Sequence, residues 1–250
     1  CHILPGVDDG PRSLPEALDL VRAAIDNGIT GAVLTPHIYP GVWDNGTTNL
    51  SLALRQLQRA LGENDLPFKV VLGAELRLHP DTLARTVARR LPLIGRYEGS
   101  DVALLELPDG SIPAGALQAC QRLIDSGIRP MIAHPERNKG VIRDPARILP
   151  FVEAGCLLQL TAASVIGQFG DAALGCAHAL LALGIVSVVA TDMHSVRARP
   201  PRLGEARDAL TRLYGHGLSH RLTEEVPRQL VEARADWSTM QRSLSDAVAT

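Results

Sequence analysis

The sequence predicts an α/β fold, a distorted (βα)7 barrel of the TIM type, and three features of its 250 residues support that reading. Short β-branched or apolar runs alternate with amphipathic segments, the pattern of parallel βα units. Seven strand segments and about seven helices suit a closed ring better than an open sheet. The third feature is a repeated joint. Asn27-Gly28-Ile29, Ser126-Gly127-Ile128, Glu153-Ala154-Gly155 and Leu183-Gly184-Ile185 each set a glycine between a helix and an apolar strand start. A glycine there takes the left-handed conformation that ends a helix.

The elements follow in order. The chain opens at the end of a first strand, near Ile3 and Leu4. The first helix begins at Ser13-Leu-Pro-Glu16, a capping-box pattern in which hydroxyl and carboxylate each satisfy a free backbone N–H. Leu18, Val21, Ala24 and Ile25 form its apolar stripe, and Asn27-Gly28 stops it. The remaining strands are expected at Ala32–Thr35, Lys69–Gly73, Val102–Leu107, Pro130–Ala133, Cys156–Leu160 and Val186–Ala190. Helices are expected at Thr48–Leu61, Pro80–Arg90, Ala114–Ser126, Pro145–Ala154, Ala172–Leu183 and Leu203–Tyr214, with a closing helix over Leu222–Ala233. One domain is expected over residues 1–250, with the barrel at about 1–235 and a polar tail at 236–250.

Composition narrows the class. A hydrophobic content of 46% can bury a sizeable core, while a net charge of −2 and a pI near 6.5 give no footprint for nucleic acid. No apolar run approaches the roughly 20 residues of a membrane span, so no membrane insertion is expected. Cys1, Cys120, Cys156 and Cys176 lack metal-finger spacing, and the last three sit in apolar contexts that suit buried reduced thiols. A cytoplasmic protein is expected. Cys1 opens straight onto an apolar strand end, which leads us to expect that the natural chain starts upstream.

Side chains able to hold metals recur where strands end: His37, Glu75, Glu106, His134, then Asp192 and His194, with His2 and Asp9 at the opening strand. In a parallel barrel all strand C-termini share one face, so these residues converge. Glu75 and Glu106 lie inside apolar runs, where a carboxylate is costly to bury unless paired or bound to a cation. Imidazoles and carboxylates without thiolate suit Mn²⁺, Fe²⁺, Co²⁺ or Zn²⁺ in an open site, and eight candidates exceed what one ion uses, so two or three ions are expected. Arg137 and Arg199 extend from the same face and suit a phosphate oxyanion. Arg197 reads as a bystander, Arg12 and Arg77 as supporting residues; His178, His216 and His220 read as structural or solvated, and His79 is ambiguous.

Cys1-His-Ile-Leu-Pro-Gly-Val-Asp-Asp-Gly-Pro11, Thr35-Pro-His-Ile-Tyr39, Gly73-Ala-Glu-Leu-Arg77, His134-Pro-Glu-Arg137 and Thr191-Asp-Met-His194 resemble the PHP (polymerase and histidinol phosphatase) superfamily. Within it they resemble the bacterial manganese-dependent protein-tyrosine phosphatases of capsule and exopolysaccharide loci. The resemblance implies a PHP-type barrel with a three-metal site. By position its ligands are His2, Asp9, His37, Glu75, Glu106, His134, Asp192 and His194, and its phosphate-gripping residues are Arg137 and Arg199. It also implies a substrate, the phosphotyrosine tail of a bacterial tyrosine autokinase. That family opens with Asp-x-His-x-His; His2 matches the second histidine, and the first is expected immediately before Cys1. A cysteine mechanism is excluded, because the Cys-x5-Arg loop is missing: Val7, Ser126, Ala162 and Ala182 stand six places after the four cysteines. The alternative on the same site is a small-molecule phosphatase of the histidinol-phosphate type.

Overall fold

The computed structural model describes residues 1–237. The expected polar tail, beyond Trp237, lies outside the described residues. Strands β1 (Gly31–Leu34), β2 (His37–Ile38), β3 (Lys69–Leu72), β4 (Glu75–Arg77), β5 (Gly95–Tyr97), β6 (Ser100–Glu106), β7 (Ile128–Ala133), β8 (Leu157–Thr161) and β9 (Val188–Ala190) carry the sheet. Around them lie α1 (Leu14–Asp26), α2 (Thr47–Glu63), α3 (Pro80–Val87), α4 (Ala116–Asp125), α5 (Lys139–Arg143) and α6 (Leu149–Glu153). The rest are α7 (Ala162–Val165), α8 (Asp171–Ala182), α9 (Leu203–Tyr214), α10 (His216–His220) and α11 (Val226–Glu232).

Strand neighbours run β2-β4-β6-β7-β8-β9, all parallel, with β1 parallel to β3 and β5 antiparallel to β6. Two of the expected strands, found as β1 and β3, are each followed after a break at the same level by a further short strand, β2 and β4. Thr35-Pro36 separates β1 from β2, and Gly73-Ala74 separates β3 from β4. Pro36 has no N–H to give a ladder. Pairing resumes beyond the break through Glu75 N–H to Pro36 O at 3.1 Å, with His37 in register with Glu75. The break therefore sets two ligand-type side chains next to each other.

The expected first strand is a correction. Ile3 and Leu4 are fully buried but form no ladder, because Pro5 and the left-handed Gly6 (φ +70°) turn the chain away. Cys1 and His2 alone close the ring: Thr35 N–H donates to Cys1 O at 2.8 Å, and His2 N–H to Met193 O at 2.9 Å. The hairpin strand β5 and helices α5, α7 and α10 went unpredicted, being three to five residues long. The Pro145–Ala154 helix is a 3-10 turn, Pro145–Ile148, running into α6. The closing helix begins as a π-helical turn, Arg221–Glu225, before α11. The capping box holds in half: Ser13 Oγ accepts from Glu16 N–H, but the Glu16 carboxylate takes Arg12 N–H at 2.8 Å. The four joint glycines do adopt positive φ, between 70° and 104°.

Alternation along the strands divides the core. Leu105, Ile132, Leu158 and Leu160 face the helices. Val102, Leu104, Met131 and Val188 face inward and meet Val226 and Leu230 of α11, which covers the ring's N-terminal end. A cavity of about 560 Å³ lies between this inner cluster and Glu75 and Asp192 at the other end. Seating of α11 depends on Gly95: a Cβ there meets Leu230 O at 2.1 Å. Gly95→Ala should therefore lever α11 off β5 and lower stability by about 1–3 kcal/mol, the overpacking range. Thermal unfolding checks this, and an unchanged melting temperature would contradict the close seating.

Candidate metal centre

At the C-terminal end of the ring, the candidates are brought together from several different elements. His37 and Glu75 begin β2 and β4, Glu106 ends β6, and His134 follows β7. Asp192 and His194 follow β9; His2 lies in the closing segment and Asp9 in the loop beyond it. His134 (φ +31°) and Asp192 (φ +50°) stand in left-handed backbone, a conformation that costs about 1–3 kcal/mol and collects at functional sites.

The ligand-type atoms fall into three overlapping groups, with all atoms in a group within 4.8 Å of one another: His2, Asp9, His37 and His194; His2, Glu75 and Asp192; His37, Glu75 and Glu106. His134 lies outside these groups but contacts Glu75 Oε1 through Nε2 at 2.8 Å. Seven of the eight candidates thus share groups and the eighth adjoins one. His37 Nδ1 and His194 Nε2 are buried and make no hydrogen bond, the latter standing 3.2 Å from Asp9 Oδ1 without hydrogen-bond alignment. An unpaired buried nitrogen of His194 beside the Asp9 carboxylate, and His37 Nε2 3.5 Å from the same Oδ1, with no thiolate, fit hard or borderline divalent ions.

The proton distribution follows from this crowding. Burial disfavours charge on His2, but hydrogen bonds to Asp8 and Glu75 outweigh it and lift its pKa to about 9. Burial likewise opposes charge on His134, and Glu75 prevails to raise it. Burial and the neighbouring charge of His2 instead depress His37 to about 4, and lower His194. Burial pushes the Glu75 carboxyl upward, yet His134 and His2 hold it well below the usual range. Glu106 is raised by burial and then by the charge of Glu75. The two imidazoles raised, His2 and His134, are those in direct contact with the Glu75 carboxylate.

Both predicted arginines reach the cluster through Asp192, and Arg199 Nη1 also stands 3.8 Å from Asp9 Oδ2. Arg137 Nη1 donates to Asp192 Oδ2 at 2.8 Å, and Arg199 Nη2 bonds the same oxygen. Arg197 and Arg12 are exposed. Arg77 joins the cluster, with Nη1 3.1 Å from Glu106 Oε2 and its guanidinium over the Tyr39 ring at 4.8 Å. His79 caps α3 by accepting from Asp81 N–H, and His178 bonds Tyr214 Oη at 2.7 Å. Neither belongs to the site.

Sequence reasoning passed over three residues. Asp8 is fully buried: its Oδ2 meets His2 Nδ1 at 2.7 Å and accepts from His37 N–H at 3.0 Å, while Oδ1 accepts from Gly10 N–H. The doublet Asp8-Asp9 marked the place without telling which carboxylate faced inward. Trp43 stacks on His37, with ring centroids 4.8 Å apart, and Phe169 lies under both arginines. Aromatic residues are 3% of the chain, so two of them beside the cluster are a weak signal that spacing could not sharpen.

Asp8 orients His2 as a carboxylate orients a metal-bound imidazole, and loss of such a partner costs roughly 10–100-fold in metal affinity. Asp8→Asn should weaken Mn²⁺ binding by about that factor with the fold intact, as measured by calorimetric titration and circular dichroism. A second expectation concerns pH. His2 keeps its proton until about pH 9 against an ordinary 6.5, and a protonated ring cannot ligate. Apparent Mn²⁺ affinity should therefore climb as pH rises from 6.5 to about 9 and then level, with proton release on binding. An affinity flat across that window would show that His2 stays outside the ion's coordination.

Comparison with known proteins agrees with the geometry. A profile of the family described as "Capsular polysaccharide synthesis, CpsB/CapC" matches residues 1–232. The chain is 32% identical to the tyrosine-protein phosphatase YwqE of Bacillus subtilis over 226 residues, 90% of this chain and 88% of that one. It is 26% identical to the tyrosine-protein phosphatase CpsB of Streptococcus pneumoniae over 235 residues, 92% and 96% of the two chains. A crystal structure from work on YwqE of Bacillus subtilis and CpsB of Streptococcus pneumoniae, described there as metal-dependent tyrosine phosphatases, superposes with a TM-score of 0.86. That match has 31% sequence identity and covers 94% of each chain. Ring, cluster and full-length similarity together make this chain a member of the CpsB/CapC capsular polysaccharide synthesis family.

Proposed function

We propose that this chain is a metal-dependent protein-tyrosine phosphatase whose substrate is the phosphotyrosine tail of a bacterial tyrosine autokinase in polysaccharide synthesis. The observation that carries the reading is the joining of a buried histidine–carboxylate cluster to two arginines through Asp192. His2, Asp9, His37, Glu75, Glu106, His134, Asp192 and His194 would hold two or three divalent ions, Mn²⁺ first among them. Such ions supply Lewis acidity toward phosphoryl oxygens and a water acidified to near neutrality.

The chain's own groups do the rest. Arg137 and Arg199, each less than one-third exposed, present guanidinium groups at the mouth of the cluster, where they would take phosphoryl oxygens and the charge that develops on them. Asp192 Oδ2 aims both, and its Oδ1 faces His2 at 3.5 Å. Asp8 fixes the His2 ring and hence which nitrogen faces the ions. A phenol of pKa about 10 leaves with little protonic help, which suits a site whose carboxylates all face imidazoles or arginines. An alkyl ester such as histidinol phosphate needs an acid that this arrangement does not set apart.

The test is hydrolysis of a phosphotyrosine peptide beside histidinol phosphate, with Mn²⁺ and then with chelator. The peptide should turn over, lose turnover to chelator and regain it with Mn²⁺, while alkylation of thiols leaves it unaffected. Preference for histidinol phosphate would overturn the substrate. Arg199→Ala should cut turnover by about 10²-fold, the scale for one lost donor to a developing oxyanion, with metal content unchanged. Arg197→Ala should stay within about 3-fold, as an exposed guanidinium outside the cluster. Equal effects of the two substitutions would remove Arg199 from the clamp.

A further inference from the structure

We propose that Phe169 is the positioning residue of the phosphate clamp, its ring fixing the planes of Arg137 and Arg199. The inference rests on the phosphatase reading above. The two guanidinium carbons stand 4.7 Å and 6.0 Å from the Phe169 ring centroid. A cation over an aromatic face is held by the ring quadrupole within about 6 Å, and arginine also stacks there through its flat guanidinium. One ring thus serves two guanidinium groups that come from different segments, the turn after β7 and the loop after β9.

The backbone holds that ring in place. Phe169 lies between Gly167 and Gly170, both with positive φ (81° and 85°), in the short link from α7 to α8. Gly167 N–H donates to Ser164 O, Gln168 N–H to Ala163 O and Gly170 N–H to Gly167 O, each within 3.1 Å. The turn is therefore tied to the end of α7, and α7 follows β8 directly. Strand β8 ends in Thr161 and brings none of the eight candidate ligands to the cluster. Its contribution to this face is the aromatic surface under the arginines.

Asp192 alone cannot fix the clamp. It bonds each guanidinium through a single shared oxygen, a one-point anchor to which Arg199 adds only a longer ion pair, Nη1 to Asp9 Oδ2 at 3.8 Å. When a phosphate dianion enters and competes for the same N–H groups, the ring is what keeps both planes facing the mouth. A donor misplaced by about 1 Å loses up to 10²-fold in rate, so loss of the ring acts through the arginines.

Phe169→Leu and Phe169→Tyr, alone and with Arg137→Ala, test this with 4-nitrophenyl phosphate and Mn²⁺. For Phe169→Leu, kcat/KM should fall about 10-fold, and the inhibition constant for inorganic phosphate should rise by a similar factor, with metal content and melting temperature unchanged. Phe169→Tyr, which keeps the aromatic face, should stay within about 3-fold of the parent. In the Arg137→Ala background the leucine substitution should cost about 2-fold, since much of what it disturbs is already gone. The proposal is overturned if Phe169→Leu matches the parent on both constants, or if its cost is undiminished without Arg137. It also fails if a fall in activity merely follows a fall in melting temperature. A parent protein inactive on any phosphate monoester would instead sink the phosphatase reading itself, and the proposal with it.

Discussion

Negative charge gathered out of water is the constraint that the upper end of this barrel answers. Asp8, Asp9, Glu75, Glu106 and Asp192 converge there, and only Asp9 has substantial exposure. Buried carboxylates this close repel one another and lose hydration, so each needs a cation or a donor. The structure supplies both. Histidines stand against carboxylates around the ring, two arginines share Asp192, and Asp8 takes two backbone N–H groups and one imidazole. Even the split of β1 from β2 and of β3 from β4 follows this need, because it sets His37 opposite Glu75.

The same crowding explains what could be read from sequence. Glu75 and Glu106 were visible because a carboxylate in an apolar strand is a local contradiction, and contradictions of that kind mark functional sites. The ring order was visible because four helices end on the same glycine device before a strand. Other pieces had no local signature. Whether Asp8 or Asp9 points inward depends on the path of a loop that folds over His2, a path that brings Gly10 close against the His2 carbonyl. The ring's closure by Cys1 and His2 depends on hydrogen bonds to residues 34 and 191 positions away, beyond any periodicity. Phe169 gave no signal, because its partners lie 32 residues before it and 30 after it. In each case a short segment is fixed by tertiary contacts, which propensity does not encode.

The sharing of Asp192 between two guanidinium groups has a kinetic consequence. A clamp that waits with its donors already bonded is not an empty trap. An arriving phosphate must displace, or share N–H groups with, a resident carboxylate, so part of the attraction is spent before any reaction begins. Ground-state affinity for substrate and for released phosphate is lowered alike, while charge that builds up only at the transition state still draws on the full pair of donors. In the proposed phosphatase, Asp192 would thereby act as an internal competitor of the product and favour turnover over retention of inorganic phosphate.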